Sequence, residues 1–244
     1  MSTPPKTSML QQRLHGHGFA FVTAESMREL LDVLRNLADW PAFAASWDDL
    51  APDNYLAARG HQRRRRHAVF TVEAAGDIRR APHQPHYQSL QHNPLQGDIQ
   101  RWFMPIRPAI ANGASLRHML AFAGALFGAM EPATPCWQVE AHQFRIEARV
   151  GAPGEPTPEG VHRDGVDYVL VLLIDRVNIE SGTTTIHAHD GALLGSFTLA
   201  HALDAALVDD ARVCHGVTAV TAFDPRRPAH RDVLVLTFKA ARPG

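Results

Sequence analysis

Lysine is nearly absent from this 244-residue chain: of its 24 basic residues, only Lys6 and Lys239 are lysines and the other 22 are arginines. A Walker-type phosphate loop needs Gly-Lys-Ser/Thr opening a helix, a protein kinase needs a strand lysine, and pyridoxal chemistry needs a Schiff-base lysine. Neither lysine has such a setting, so all three classes are excluded. Cysteine is equally scarce: Cys136 and Cys214 are too few for a disulfide framework or a cysteine metal cage. No apolar run approaches the ~18 residues of a membrane span, and the N-terminal segment has no apolar signal core, so the chain reads as soluble and cytoplasmic. Net charge is missing too. A formal charge of -1 at pH 7 gives no general reason to expect nucleic acid or an anionic membrane as a partner.

What is present is the composition of a globular protein, 45% hydrophobic and 20% charged, in a length that suits one large domain or two small ones. No repeat or low-complexity linker divides it. We therefore expect a single structural unit with an N-terminal helical extension at 1–58 and the main domain at 59–244. In the extension, Met27, Leu30, Leu31, Leu34 and Leu37 recur at helical spacing behind a possible N-cap, Thr23, and predict one amphipathic helix ending before Pro41. From His61 to Val72 the pattern reads as a strand that begins with the basic run Arg63 to Arg66, more consistent with a solvated face than with a nucleic-acid patch. Leu116, Met119, Leu120, Phe122 and Leu126 predict a helix over 115–130. Beyond it, 137–149, 166–174, 182–188, 211–221 and 231–239 read as strands between Gly/Pro/Asp-containing loops. A helical front half followed by a run of strands predicts an α+β fold with helices packed on a sandwich or barrel.

Histidine is the surplus, with 15 residues spread along the chain. The informative copy is His162-Arg-Asp-Gly165, before the apolar run Val166 to Ile174. On a strand, residues two apart share a face, so His162 and Asp164 would project together. A third ligand from a distant strand, His215, would complete the two-histidine, one-carboxylate facial triad that holds Fe(II) and leaves positions open for chemistry. If the reductant is 2-oxoglutarate, its far carboxylate needs a two-point cation. Arg231, opening the strand Val233 to Phe238, is the candidate. A second His-x-Asp, His230-Arg-Asp232, has no later histidine to close a triad, and an inward Arg231 would turn His230 and Asp232 outward. The kinase reading of His-Arg-Asp fails because Val169 stands where the loop asparagine belongs. His187 and His189 read as sheet-surface histidines rather than metal ligands. His15, His17, His83, His86, His118 and His142 lack a spacing that implies chemistry.

These segments, with Arg176-Val-Asn-Ile-Glu-Ser-Gly-Thr-Thr, Val213-Cys-His-Gly-Val-Thr, Asn93-Pro-Leu-Gln-Gly, Arg101-Trp-Phe-Met-Pro-Ile and Gln143-Phe-Arg-Ile, resemble the bacterial 2-oxoglutarate/Fe(II) dioxygenases that include the isoleucine 4-hydroxylases. The resemblance covers roughly residues 60 to 240. It implies a double-stranded β-helix (jelly-roll, cupin-like) core, iron on His162, Asp164 and His215, the 2-oxoglutarate carboxylate on Arg231, consumption of O2, and hydroxylation of a free amino acid. Ser181 departs from the pattern, standing where the first of two glycines is expected.

Two alternatives remain at this level. One is the same chemistry on a carrier-bound amino acid or a small non-amino-acid metabolite; the other is a cupin-like metal-binding module without turnover. For substrate contacts, Gln143, Arg145, Glu147 and Arg149 place four polar side chains on one strand face. Inward, Arg145, with Gln143 beside it, would hold a substrate carboxylate; outward, the face is solvated.

Overall fold

The computed structural model describes residues 6–57, 63–149 and 151–241. The expected boundary between 58 and 59, and the start of the strand expected from His61, lie outside the described residues. The helices are α1 (Lys6–His17), α2 (Ala24–Leu30), α3 (Val33–Asn36), α4 (Trp40–Ala45), α5 (Asn54–Ala57), α6 (Pro108–Ala111) and α7 (Ala114–Met130). The strands are β1 (Phe19–Val22), β2 (Ala51–Pro52), β3 (Arg63–Glu73), β4 (Ile78–Arg80), β5 (Cys136–Ala148), β6 (Tyr168–Val177), β7 (Ile179–Ser181), β8 (Thr183–His187), β9 (Leu193–Thr198), β10 (Ala205–Asp209), β11 (Cys214–Val217), β12 (Val220–Ala222) and β13 (Ala229–Ala240).

Eight strands form the larger sheet in the order β1-β10-β6-β13-β5-β3-β2, with β4 on the side of β3. The smaller layer is made by β11-β8-β9 and the pair β12-β7. Together they are the two walls of a double-stranded β-helix, all of their strand pairs antiparallel.

Strand β13 shows why the sequence folds this way. Its side chains alternate between two buried faces rather than between core and water. Leu234, Leu236 and Phe238 join a cluster with Leu116, Met119, Leu120, Leu126 and Phe127 of α7, under the helical layer. Val233 packs toward the smaller layer with Ile146, Leu173 and Val220. Such a strand reads as a continuous apolar run. Burying each leucine or phenylalanine of that helix contributes about 1.5–3 kcal/mol, which holds α7 and the N-terminal helices against the outer face. Among the described residues, no helix is long and apolar enough to cross a membrane.

The helix expected between Thr23 and Pro41 is three short ones. Thr23 does cap α2, accepting a hydrogen bond from the Ser26 amide at 3.4 Å. Asp32, at φ 44°, then breaks the helix, since a left-handed residue cannot continue a right-handed one. Pro41 lies in the first turn of α4 instead of stopping a helix, a position where its missing N–H costs nothing. The preceding segment, Phe19–Val22, is a strand of the larger sheet paired with β10.

Candidate active site

His162 and Asp164 precede β6 in a turn, and are not on a regular strand as the spacing predicts. His162 makes an isolated two-bond bridge with His215, each backbone N–H donating to the other's carbonyl at 2.9 Å. The turn is fixed by Asp210. Its carboxylate accepts from the backbone amides of Asp164 at 2.9 Å, Gly165 at 2.8 Å and Val166 at 3.2 Å. Gly165 is required here twice over: its φ is +80°, and a Cβ would lie 2.5 Å from the His92 ring.

This geometry brings His162, Asp164 and His215 together, with one ligand atom from each within 4.8 Å of the others. The His162 Nε2 is 3.7 Å from one Asp164 oxygen, and the His215 Nε2 is 3.5 Å from the other. The His162 Nδ1 lies 3.0 Å from the Gly160 carbonyl, so it carries the donated proton and leaves Nε2 for a metal, the usual outer-sphere arrangement of a ligating histidine. Burial opposes protonation of His162, but the Asp164 hydrogen bond and the charges of Asp164 and Glu159 outweigh it and raise its pKa to about 9. Burial lowers that of His215, helped by His162. Asp164 is held ionised: burial works against it, and the two histidines outweigh burial.

From the triad a narrow cavity of about 120 Å³ runs between the sheets, lined by Thr184, Val217, Val233 and Arg231. Arg231 is 2% exposed, and its Nε and one Nη have no hydrogen-bond partner among the described residues. Burial, and the nearby charge of Arg176, lower its pKa to about 10. A buried guanidinium without an acceptor is costly, and a carboxylate entering this cavity would supply the acceptor. The donor set therefore fits the far end of 2-oxoglutarate, as the two histidines and one carboxylate fit Fe(II). Ser181, at φ 62°, adopts a conformation that favours glycine, and its carbonyl accepts from Arg176 at 2.6 Å.

Other expectations are corrected. Arg145 and Gln143 face away from the cavity. Arg145 forms a two-point pair with Asp232 at 2.7 and 2.8 Å and reaches Asp48, while the Gln143 amide donates to Ser46. Period-two alternation on β5 puts these residues under the helical layer and turns Glu140, His142, Phe144 and Ile146 inward. Asp232 does point away from the cavity, yet it is buried at 1% exposure and not solvated. The Arg63 to Arg66 run is no solvated face either. Arg63 and Arg65 line the cavity and pair with the buried Asp53, while Arg64 and Arg66 pair with Glu147 and Asp49. His187 is half-buried and His189 exposed, and neither joins a metal-ligating group among the described residues.

A second constellation escaped the sequence reading. On the other side of Asp164 lies a larger chamber of about 530 Å³, lined among others by His86, Gln88, His92, Glu140 and His142. In its wall His67, His86 and His142 converge on Glu140, at 3.0, 2.5 and 3.5 Å from the same oxygen, Oε2. They come from β3, the loop after β4, and β5, so no spacing links them. The available signal was the alternation Gln138-x-Glu140-x-His142 on one face of the strand.

A fold of two sheets with this triad and a buried arginine defines a class of metal-dependent oxygenase, and comparison with known proteins agrees. Residues 44–237 match the model of the 2OG-Fe dioxygenase family, and the chain belongs to that family. It is accordingly an oxidoreductase that works with Fe(II), 2-oxoglutarate and O2. It is 25% identical over 240 residues to the 3(1)-hydroxy-L-isoleucine 4-dioxygenase of Pantoea ananatis (strain AJ13355), covering 93% of each chain. Its fold is similar to the crystal structure of a bsmA homolog from Methylobium petroleophilum PM1, with a TM-score of 0.88 and 34% identity over 100% of this chain and 98% of that one. The structure of IDO from Bacillus thuringiensis matches with a TM-score of 0.78 at 16% identity, over 97% and 100% of the two chains; at that identity the likeness concerns the fold.

Proposed function

We propose that this protein hydroxylates an unactivated carbon of a free L-amino acid with an aliphatic, sulfur-containing or cyclic side chain. In this reading His162, Asp164 and His215 hold the iron, and Arg231 holds the far carboxylate of 2-oxoglutarate. The observation that carries it is the buried, unpaired guanidinium of Arg231 in a cavity that also contains all three triad residues. The named activity of the Pantoea relative, on a hydroxylated isoleucine, supports an amino acid as substrate. Free cysteines at 136 and 214 accord with a reducing, cytoplasmic setting.

When bound, iron with 2-oxoglutarate and O2 supplies the oxidant that inserts oxygen into a C–H bond, with release of CO2 and succinate. The chain's own residues do the positioning. Gly160 orients His162, Asp210 sets the turn that aims Asp164, and Arg231 fixes one end of the cosubstrate in a pocket closed by Thr184, Val217 and Val233. Gln88 donates toward Asp164 at 3.4 Å and accepts from Arg101 at 2.8 Å, which ties the triad to the wall of the larger chamber. A substrate in that chamber lies beside Asp164, and holding it at two ends selects the carbon that reacts, since misplacement by about 1 Å can cost ~100-fold in rate.

The test is a panel of free isoleucine, leucine, methionine and cyclic imino acids, scored by succinate formed and by mass spectrometry of the product. The expected result is coupled succinate and one hydroxylated regioisomer with at least one of them. Turnover only of a carrier-bound or non-amino-acid substrate would overturn the free-amino-acid assignment and leave the reaction class intact.

A further inference from the structure

The His67, His86, Glu140 and His142 constellation has the composition of a metal site, yet its hydrogen bonding points elsewhere. Arg65, 2% exposed, places Nη2 2.8 Å from the His142 Nδ1. A guanidinium only donates, so that Nδ1 offers its lone pair. Neutral His142 must then carry its proton on Nε2, the nitrogen that faces Glu140, and a protonated nitrogen cannot ligate a metal. Burial favours the neutral form of all three histidines. Each then directs one N–H at Oε2. Burial opposes ionisation of Glu140, but the three histidines outweigh it and hold its carboxyl far below the usual carboxylate range.

The result is an oriented, permanently anionic carboxylate in a chamber wall. Its side chain is 20% exposed, and Oε1 takes no hydrogen bond from a described residue. The chamber also borders Asp164, Gly165 and Val166, so a ligand held by Glu140 lies next to the triad. A desolvated anion of this kind selects a cation that donates hydrogen bonds. We propose that Glu140 is the acceptor for the substrate's protonated amine, and that His67, His86 and His142 are positioning residues that aim it. This rests on the amino-acid reading above and deepens it: the enzyme would discriminate an amino acid from the hydroxy acid of the same skeleton through this one carboxylate.

The experiment uses the amino acid that is turned over in the panel and its 2-hydroxy analogue (for isoleucine, 2-hydroxy-3-methylpentanoate), with the iron-loaded full chain. Glu140→Gln should raise KM for the amino acid about ten- to a hundredfold, the range for a hydrogen bond between charged groups, while KM for the hydroxy analogue moves much less. Binding of 2-oxoglutarate, measured by calorimetry under anaerobic conditions, reports that the variant is folded. His86→Phe should raise the amino acid KM with little change in kcat, and His86→Gln, which restores a donor, should recover most of it. An amino acid KM unchanged in Glu140→Gln, or an equal rise for both ligands, overturns the proposal while leaving amino-acid hydroxylation standing. A second tightly bound divalent metal, lost in Glu140→Gln, overturns it in favour of a metal site. Failure of wild type with every free amino acid would instead overturn the reading on which the proposal rests.

Discussion

Among the described residues two clusters gather imidazoles around a carboxylate, one lining the narrow cavity and one in the wall of the larger chamber, and they differ in their balance of charge. In the first, His162 and His215 share Asp164, and Glu159 and Asp210 lie within 4.0 Å of them. The excess of carboxylate raises His162. In the second, three histidines share Glu140, with Arg65 alongside, and every imidazole is pushed toward neutrality. Burial favours the neutral imidazole in both clusters and prevails at His215, His67, His86 and His142; only at His162 do the neighbouring carboxylates Asp164 and Glu159 outweigh it.

The largest effect should come from the first cluster. His162→Ala and His215→Ala should each lower coupled turnover by more than ~100-fold, beyond the 10- to 100-fold typical of losing an outer-shell partner, in chains that still melt cooperatively. Turnover in either variant near wild type would remove the triad from the account. Next, Arg231→Lys keeps the charge but loses the planar fork, so the apparent affinity for 2-oxoglutarate should fall by about one to two orders of magnitude with iron binding retained. An unchanged KM for 2-oxoglutarate would move the anchor to Arg176 or another cation. Asp210→Asn, which weakens the cradle under Asp164, should lower iron affinity by about tenfold, at the small end of outer-shell effects.

A negative control sharpens the contrast between the two faces of β5. Arg145→Met leaves Asp232 buried without its partner and should cost about 3 kcal/mol of stability, read by denaturant melts. KM for substrate should be unmoved, because Arg145 lies under the helical layer. A selective loss of substrate affinity at normal stability would return Arg145 to the site.

How much of this was legible follows from where the information sits in the chain. That His162, Asp164, His215 and Arg231 come together around one cavity could be anticipated, because a local His-x-Asp, a distant histidine and a strand-opening arginine follow one another in order. Strands β5, β6, β8, β11 and β13 were visible as segments between Gly/Pro/Asp-containing loops, β6 and β13 most plainly through their apolar stretches. The break at Asp32 was not, since apolar periodicity continues through it and only the backbone departs. Nor was the face of β5 legible: with both faces buried, the polar stripe Gln143-Arg145-Glu147 looks as inward as Glu140-His142, and only the placement of α4 and the 3-10 turn at Ser46–Asp49 decides between them. The second cluster depends on register, His67 opposite His142, which no single-sequence spacing encodes. The same register converts Arg63 and Arg65 from an apparent surface run into cavity wall.

The smallest effect is the one that separates His162 from the second cluster by sign. In the metal-free protein, His162 has its folded pKa raised from about 6.5 to about 9. Its contribution is complete below pH ~6.5 and is lost as pH rises through 9. Burial lowers His67, His86 and His142, and His215 with them, so the unfolded chain takes up protons more readily than the folded one and stability falls as pH drops below ~6.5. Thermal melts across pH 5 to 9.5 should show both limbs. His162→Gln should flatten the alkaline limb, and His86→Gln should reduce the acid one. Exchange of these two outcomes would invert the assignment.

The central claim, that one cluster holds iron and the other holds none, is tested most directly by metal stoichiometry in purified, anaerobically reconstituted protein. The account predicts one Fe(II) per chain in wild type, one in Glu140→Gln, and essentially none in His162→Ala. Iron retained in His162→Ala and lost in Glu140→Gln would contradict it.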